Sequence, residues 1–360
     1  MVWKWWRETQ CVLLAMLMVL LNVFPAVAET SNSFIFSFLP RREYAGTLYE
    51  ARPSADLTTV LLIGYDHHAD GGVEEMHGYS NGGQCDFLLL LVVDHVQQKI
   101  YPLQIDRDTM APIYVTDING KQHWRKSLQI CLAHAYGDTR EKNNANTVLA
   151  VETLMGINAP DDGVAINWYL AMDISGISKL NDVLGGVTVT LEDDMTFFDP
   201  AMTEGATLKL TGKQAEYFCR GRYDVGDQTN ASRMKRHQQF ISAASDVLVQ
   251  KLKEDVNFGS QLLEQMGFIY DRSTAASSDP FSFSDPVTGT PVGQARERYL
   301  MTNESQSEIV GLLARAMEYE IMDTEILPGE HVIGNSGYIE YRLEPDSAIK
   351  WALQHFYRCE

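Results

Sequence analysis

The chain alternates between apolar runs of strand length and segments whose apolar positions recur at helical spacing. Residues 56–65 (DLTTVLLIGY) and 87–95 (FLLLLVVDH) are nearly continuous hydrophobic stretches, the pattern of strands covered on both faces. A third strand is predicted within 99–110, KIYPLQIDRDTM, as far as Asp106. Helical patterns follow at 127–136 and 144–156, then a strand at 163–170, a helix at 174–186 and a strand at 187–193. A short strand is expected at 215–219, AEYFC, ahead of a helix that runs on through 240–252 with Asn230 or Ser232 as its cap. Two further helical patterns occupy 305–319 and 345–357. This order predicts an α/β fold, with a central mixed β-sheet carrying helices on both faces in three α/β/α layers and a C-terminal helical extension.

The segments between these patterns divide the chain. Residues 1–28 have the form of an export segment: a basic start, MVWKWWR, an apolar run over 11–24, and Ala26, Val27 and Ala28 at a cleavage-like end. The apolar part is shorter than the roughly 20 residues of a spanning helix, while Trp3, Trp5 and Trp6 beside Lys4 and Arg7 suit an anchor, so signal peptide and membrane anchor both stay open. Either places the protein outside the cytoplasm, anchored to the cell membrane or secreted. Residues 29–55 read as a tether, 56–253 as the main domain, and 254–360 as an accessory region with a Ser/Pro/Asp-rich loop at 272–291. That region carries no converging cations or acids, so it is expected to serve the site without supplying it. Cys85, Cys131, Cys219 and Cys359 lack CxxC spacing and indicate neither a zinc site nor a disulfide scaffold.

Charge alters the picture more than composition does. A net charge of -19 and a pI near 4.8 exclude a nucleic-acid binder, because the surface would repel a phosphate backbone. Against that background the stretch 220–239, RGRYDVGDQTNASRMKRHQQ, carries five cations and two carboxylates. Arg220 and Arg222, two apart beyond the expected strand, would share one face, and Arg233 and Arg236, three apart on the helix, would share another. Two converging pairs of guanidinium forks suit a phosphate or pyrophosphate. The plainer alternative is a solvated basic helix face paired with surface acids.

Acids stand at the strand ends. Asp66 closes the first strand and Asp86 opens the second, so their carboxyl groups are expected to approach each other and to hold magnesium, weakly until phosphate oxygens complete the shell. His67 and His68 read as loop residues, since adjacent histidines rarely face one ion. Asp106, Arg107 and Asp108 form a second cluster at the end of the third strand. The chain has no GxxxxGKS/T loop and no Ser/His/Asp or Cys/His arrangement announcing a covalent nucleophile. Magnesium with several arginines points to phosphoryl transfer, in which stabilising spread negative charge is the main task.

Six motifs, in order, resemble the LytR-CpsA-Psr proteins of the bacterial cell envelope: LLIGYD, CDFLLLLVVD, QIDRDTM, LAHAYGD, LNDVLGGVTV and CRGRYDVGDQTNASRMKRHQQF, spanning roughly residues 57–244. The resemblance implies an exported or membrane-anchored, magnesium-dependent phosphotransferase. Such an enzyme moves a glycopolymer from an undecaprenyl-pyrophosphate (polyprenyl-pyrophosphate) carrier to a peptidoglycan acceptor, and its lipid would need an apolar groove beside Arg107 and Arg220. It implies that Asp66 and Asp86 are the metal ligands. Arg107, Arg220, Arg222, Arg233 and Arg236 take the place of the pyrophosphate contacts, with His237 and Gln238 as candidates beside them. Arg107, Asp108, Arg220 and Arg222 would be the catalytic set, with Asp108 structural or catalytic. The sequence departs from the family pattern at Gln84, where an arginine is usual, at His237, where a glutamine is usual, and at Gln129, where a lysine is frequent. A lipid-pyrophosphate hydrolase and a catalytically silent envelope binder are the alternative readings.

Overall fold

The computed structural model describes residues 41–66, 83–116, 121–137, 139–156, 165–270 and 299–359. The export segment, His67, His68 and the loop at 272–291 lie outside the described residues. In chain order the strands are β1 (Arg41–Tyr44), β2 (Thr47–Ala51), β3 (Leu57–Tyr65), β4 (Cys85–Asp94), β5 (Lys99–Ile105), β6 (Met110–Thr116), β7 (Gln122–Gln129), β8 (Trp168–Asp173) and β9 (Thr188–Thr190). They continue as β10 (Thr207–Lys209), β11 (Ile269–Tyr270), β12 (Leu300–Thr302), β13 (Glu320–Ile321), β14 (Glu325–Ile326), β15 (Gly329–Ile333), β16 (Ile339–Leu343) and β17 (Tyr357–Cys359). The helices are α1 (Arg140–Leu154), α2 (Gly176–Leu184), α3 (Gly212–Arg220), α4 (Asn230–Glu254), α5 (Phe258–Gln265), α6 (Gln306–Ala316) and α7 (Ser347–Phe356), with a 3-10 helix at Ile130–Tyr136.

The central sheet has the order β11-β12-β8-β3-β4-β5-β13, with β14 also alongside β5. It is mixed: β4 runs antiparallel to β3 and β5, while β8 is parallel to β3. Period-two geometry sends alternate side chains to opposite faces. Leu61, Ile63, Leu88, Leu90 and Val92 pack with Val151 of α1 and Trp351 of α7. Val60 and Val93 point the other way, against Leu312 of α6. Runs that are apolar at every position are therefore needed, and the three-layer α/β/α expectation is met. A separate core gathers α2, α3, α4 and α5 around Leu184, Phe218, Phe240 and Leu262.

Several expectations are corrected. The segment 215–219 is helical, not a strand: Ala215, Phe218 and Cys219 are buried at helical spacing, and Thr211 with Gln214 forms a capping box. α4 is capped by Thr229, whose side chain accepts from the Ser232 N–H at 3.1 Å, and neither Asn230 nor Ser232 does this. Residues 127–136 end strand β7 before the short 3-10 helix, and the β6–β7 hairpin was not foreseen. The tether of 29–55 gives way to β1 and β2, which pair with each other and with β17. The C-terminal extension is not only helical, since β12, β13 and β14 join the central sheet.

The accessory region is thus part of the same cooperative structure. Trp351, 5% exposed, packs in the sheet core, so Trp351→Ala should cost about 3 to 5 kcal/mol, read as a lower midpoint in urea unfolding. Truncation after Lys253 should remove the cooperative transition altogether. A truncated chain that unfolded with the parent's midpoint would contradict this.

Candidate functional site

Strand polarity collects the sequence-predicted acids. Because β4 is antiparallel to both neighbours, the last residues of β3 and β5 and the first of β4 share one end of the sheet. The Asp66 N–H donates to the Gln84 carbonyl at 3.0 Å, which puts Asp66 and the start of β4 on adjacent strand ends. Gly83 permits this approach: its φ is +79°, and a Cβ there would stand 1.8 Å from the Asp66 carbonyl oxygen. Pairing passes from Gly64↔Phe87 to Tyr65↔Cys85, so Asp86 is the extra residue of a β-bulge, a device that re-aims a side chain.

Asp86 is gripped from two sides. Continuing the Leu88↔Ile105 register by two residues sets Asp86 against Arg107, and Arg107 Nη1 donates to Asp86 Oδ1. Arg233, 4% exposed in the first turn of α4, donates to Asp86 Oδ2 at 3.2 Å and to Asn230 Oδ1 at 2.7 Å. Arg107 Nη2 reaches Gln84 Oε1 and the Cys131 sulfur, the latter at 3.2 Å. The Nε atoms of both arginines are buried without a hydrogen-bond partner, and so is Asp66 Oδ1. Burial and the charges of Arg107 and Arg222 lower the Arg233 guanidinium to about 10. Arg107 Nε also lies 3.5 Å from Asp108 Oδ1, so Asp108 adds a second carboxylate to this cluster.

The remaining arginines divide by location. Arg222 follows the end of α3, where its Nε meets the Gln228 carbonyl at 3.5 Å, and its charge is felt by Asp108 and Arg233. Arg220 is the last residue of α3; its side chain is 57% exposed and lies 3.7 Å from Glu216 of its own helix. The two therefore do not share a strand face as the sequence suggested. Arg236 and Arg233 also part company: Arg236 is buried, pairs with Asp193 at 2.5 Å, and donates to the Phe218 and Gly221 carbonyls. His237 is bonded to the Cys219 carbonyl at 2.8 Å and lies edge-on to Phe87. Burial, then the Arg233 charge, lowers its pKa to about 3. Arg236 and His237 tie α3 to α4 and so position Arg233. Gln238 is half-buried on the same helix. A cavity of about 220 Å³ beside Arg236 is lined by Glu192, Asp193, Asp227 and Lys235, which is no lining for an apolar chain.

Asp106 and Asp108 are both buried. Burial and the Asp106 charge raise the Asp108 carboxyl, which accepts from Gln129 Nε2 at 3.0 Å. His331 of β15 bonds Asp106 at 2.9 Å, and Asn230 Nδ2 reaches the other Asp106 oxygen at 2.9 Å. The accessory region therefore does supply a residue to this end of the sheet. Sequence reasoning missed His331, Asn230, Asp193 and the contact role of Gln84. For Asn230 a signal existed, as the residue three before Arg233 on a helix. His331 lies 225 positions from its partner and gave none.

Comparison with known proteins places the chain. The profile of the LytR_cpsA_psr family matches residues 42–264. The chain is 26% identical over 201 residues to a polyisoprenyl-teichoic acid–peptidoglycan teichoic acid transferase TagU of Bacillus cereus, covering 56% of each chain. It is 25% identical over 191 residues to biofilm regulatory protein A of Streptococcus mutans, covering 51% of this chain and 42% of that one. The match thus spans about half the length of these relatives. Among solved structures, Streptococcus agalactiae gbs0355 superposes with a TM-score of 0.59 at 17% identity, covering 86% of this chain and 93% of that one. A structure described as TagT bound to LI-WTA gives 0.54 at 18%, covering 85% and 92%.

Two stability measurements separate positioning residues from exposed ones. Arg236→Ala strands a partly buried Asp193 and should cost about 3 to 5 kcal/mol, whereas Arg220→Ala should cost under about 1 kcal/mol, both by urea unfolding. The His237 imidazole gives a pH signature. Its folded pKa of about 3 lies below the ordinary value near 6.5, so in acid the unfolded chain binds a proton that the folded chain refuses. Stability should fall as pH drops from about 6.5 towards about 3. His237→Gln should flatten that part of the profile, and an unchanged slope would exclude His237 as its source.

Proposed function

The chain belongs to the LytR-CpsA-Psr family, and we propose that it is a cell-envelope phosphotransferase that moves a glycan from a polyprenyl-pyrophosphate carrier to peptidoglycan. The supporting observation is the arginine pair on Asp86. Two buried guanidinium groups share one carboxylate, the Arg233 Nε–H has no hydrogen-bond acceptor, the Arg107 Nε–H has only Asp108 Oδ1 at 3.5 Å, and Arg222 adds charge nearby. Buried guanidinium donors that are not fully matched favour an incoming polyanion. In this reading Arg107 and Arg233 turn from Asp86 towards the donor pyrophosphate, Arg222 completes the grip, and Arg220 stands at the rim.

The proposed reaction is an in-line displacement. An acceptor hydroxyl oxygen bonds to the phosphorus that carries the glycan, the P–O–P bridge breaks, and prenyl monophosphate leaves with the bridging electrons. The hydroxyl proton departs to solvent or to a base. Charge accumulates on the equatorial oxygens and the leaving phosphate, where fixed guanidinium donors stabilise it. Asp66 fits a magnesium site, because its Oδ1 is buried without a partner. Asp86 fits only after its arginines turn to phosphate, since both of its oxygens now accept from them. Magnesium held by these two residues would neutralise phosphate oxygens. Cation and donor should therefore bind together. Among the described residues no helix is long and apolar enough to cross a membrane; membrane attachment through the segment 1–28 is part of the proposal.

The test is transfer itself: labelled glycan on a prenyl pyrophosphate, with and without peptidoglycan fragments, followed by analysis of phosphodiester product and prenyl monophosphate. Glycan phosphate released into water alone would favour a hydrolase. Arg107→Lys keeps charge but loses the fork, and donor affinity should fall about ten- to a hundredfold. Arg220→Ala should weaken it by less than about fivefold. Magnesium affinity, by calorimetry, should rise when a prenyl-pyrophosphate analogue is present and should not rise in Asp66→Asn.

A further inference from the structure

We propose that Asp106, Asp108 and His331 form a second divalent-cation site, of the zinc type, that clips the β15–β16 hairpin over the turn carrying Arg107. This goes beyond the phosphotransfer reading and uses none of the residues assigned there to magnesium or pyrophosphate. One oxygen from each carboxylate and one imidazole nitrogen lie within 4.8 Å of one another. Both carboxylates are buried, Asp106 at 3% and Asp108 at 4% exposure.

The two acids are held with one oxygen each turned to other work. Asp106 Oδ1 accepts from the Asn230 side chain at 2.9 Å and from the Asp108 N–H at 2.8 Å, which leaves Oδ2 to His331. Asp108 Oδ1 accepts from Gln129 and lies 3.5 Å from Arg107 Nε, while Asp108 Oδ2 is buried without any hydrogen-bond partner. A buried carboxylate oxygen with no donor is costly, and a cation would satisfy it. The contacts from Asn230 and Gln129 resemble the outer contacts that orient metal-binding carboxylates.

The donor set selects the ion. Two carboxylates and one imidazole are too nitrogen-rich for a typical magnesium site and contain no thiolate, which leaves borderline dications such as zinc. Two carboxylates with a neutral imidazole also balance a dication's charge. Around zinc, with ligands at about 2.0 to 2.2 Å, neighbouring donors sit roughly 3.3 to 3.5 Å apart. The 2.9 Å separation of His331 and Asp106 must therefore open by about half an ångström around such an ion. His331 has the freedom to do so, its side chain being 35% exposed on an edge hairpin. The hairpin already meets this turn through the Tyr341 N–H, which donates to the Asp108 carbonyl at 2.7 Å, and it meets the end of β7 through Gln129, which donates to the Ile339 carbonyl at 2.7 Å.

The experiment is zinc titration of the full chain in excess magnesium, in a His67→Ala, His68→Ala background that removes the other histidines considered as ligands. Calorimetry gives stoichiometry and affinity, and the melting temperature is measured with and without zinc. The parent should bind one equivalent and melt higher with zinc. His331→Ala and Asp106→Asn should each weaken binding about tenfold or more and lose the zinc-dependent rise, whatever their own metal-free melting temperatures. Cobalt should give a tetrahedral absorption band in the parent that is absent in His331→Ala. A parent that gains no stability from zinc, or a His331→Ala variant that binds and responds as the parent does, would overturn the site.

Discussion

The pairing of one carboxylate, Asp86, with two buried guanidinium groups governs this end of the molecule. Buried charges persist only when partnered, and removing one partner from such a set costs far more than a surface pair ever contributes. Asp86 bridges the two guanidinium groups, Asp108 stands 3.5 Å from Arg107 Nε, and the Arg233 Nε–H stays without an acceptor, so the arrangement is held together yet left with a spare donor. Each element nearby serves that balance. The β-bulge aims Asp86, the antiparallel register sets Arg107 opposite, and the contacts of Arg236 and His237 with the end of α3 fix the helix from which Arg233 reaches in. A polyanion entering here would exchange one set of charge-assisted bonds for another.

Much of this was legible because it is local or periodic. Strands apolar at every position announce a sheet covered on both faces, and β3, β4 and β5 lie where that rule places them. Asp66, Asp86 and Arg107 were findable as charges at the ends of such strands. The errors have the same origin. The strand reading of 215–219 conflicts with the helical spacing of Ala215, Phe218 and Cys219, and it moved Arg220 onto a face it does not occupy. Arg233 and Arg236 were grouped by helical spacing, but three residues along a helix is an angular offset wide enough for one to face Asp86 and the other Asp193. His331 and strands β13 and β14 depend on contacts across more than two hundred positions, and β12 on contacts across more than a hundred, for which periodicity carries no information.

The C-terminal third has a larger part than an appendage would. It completes the sheet at both edges, seats Trp351 in the core, and brings His331 against Asp106. The turn bearing Arg107 is thus bounded by β4 on one side and by the β15–β16 hairpin on the other. Site and accessory region share one folding unit, so changes in either should be felt in both.

The central claim is that the Asp86 arginines are a pyrophosphate grip held shut by an internal anion. The most direct measurement is a crystal structure with a soluble prenyl-pyrophosphate analogue and magnesium. The account predicts Arg107 and Arg233 bonded to phosphate oxygens, with Asp66 and Asp86 turned to the cation. Phosphates bound elsewhere, with both arginines still on Asp86, would contradict it.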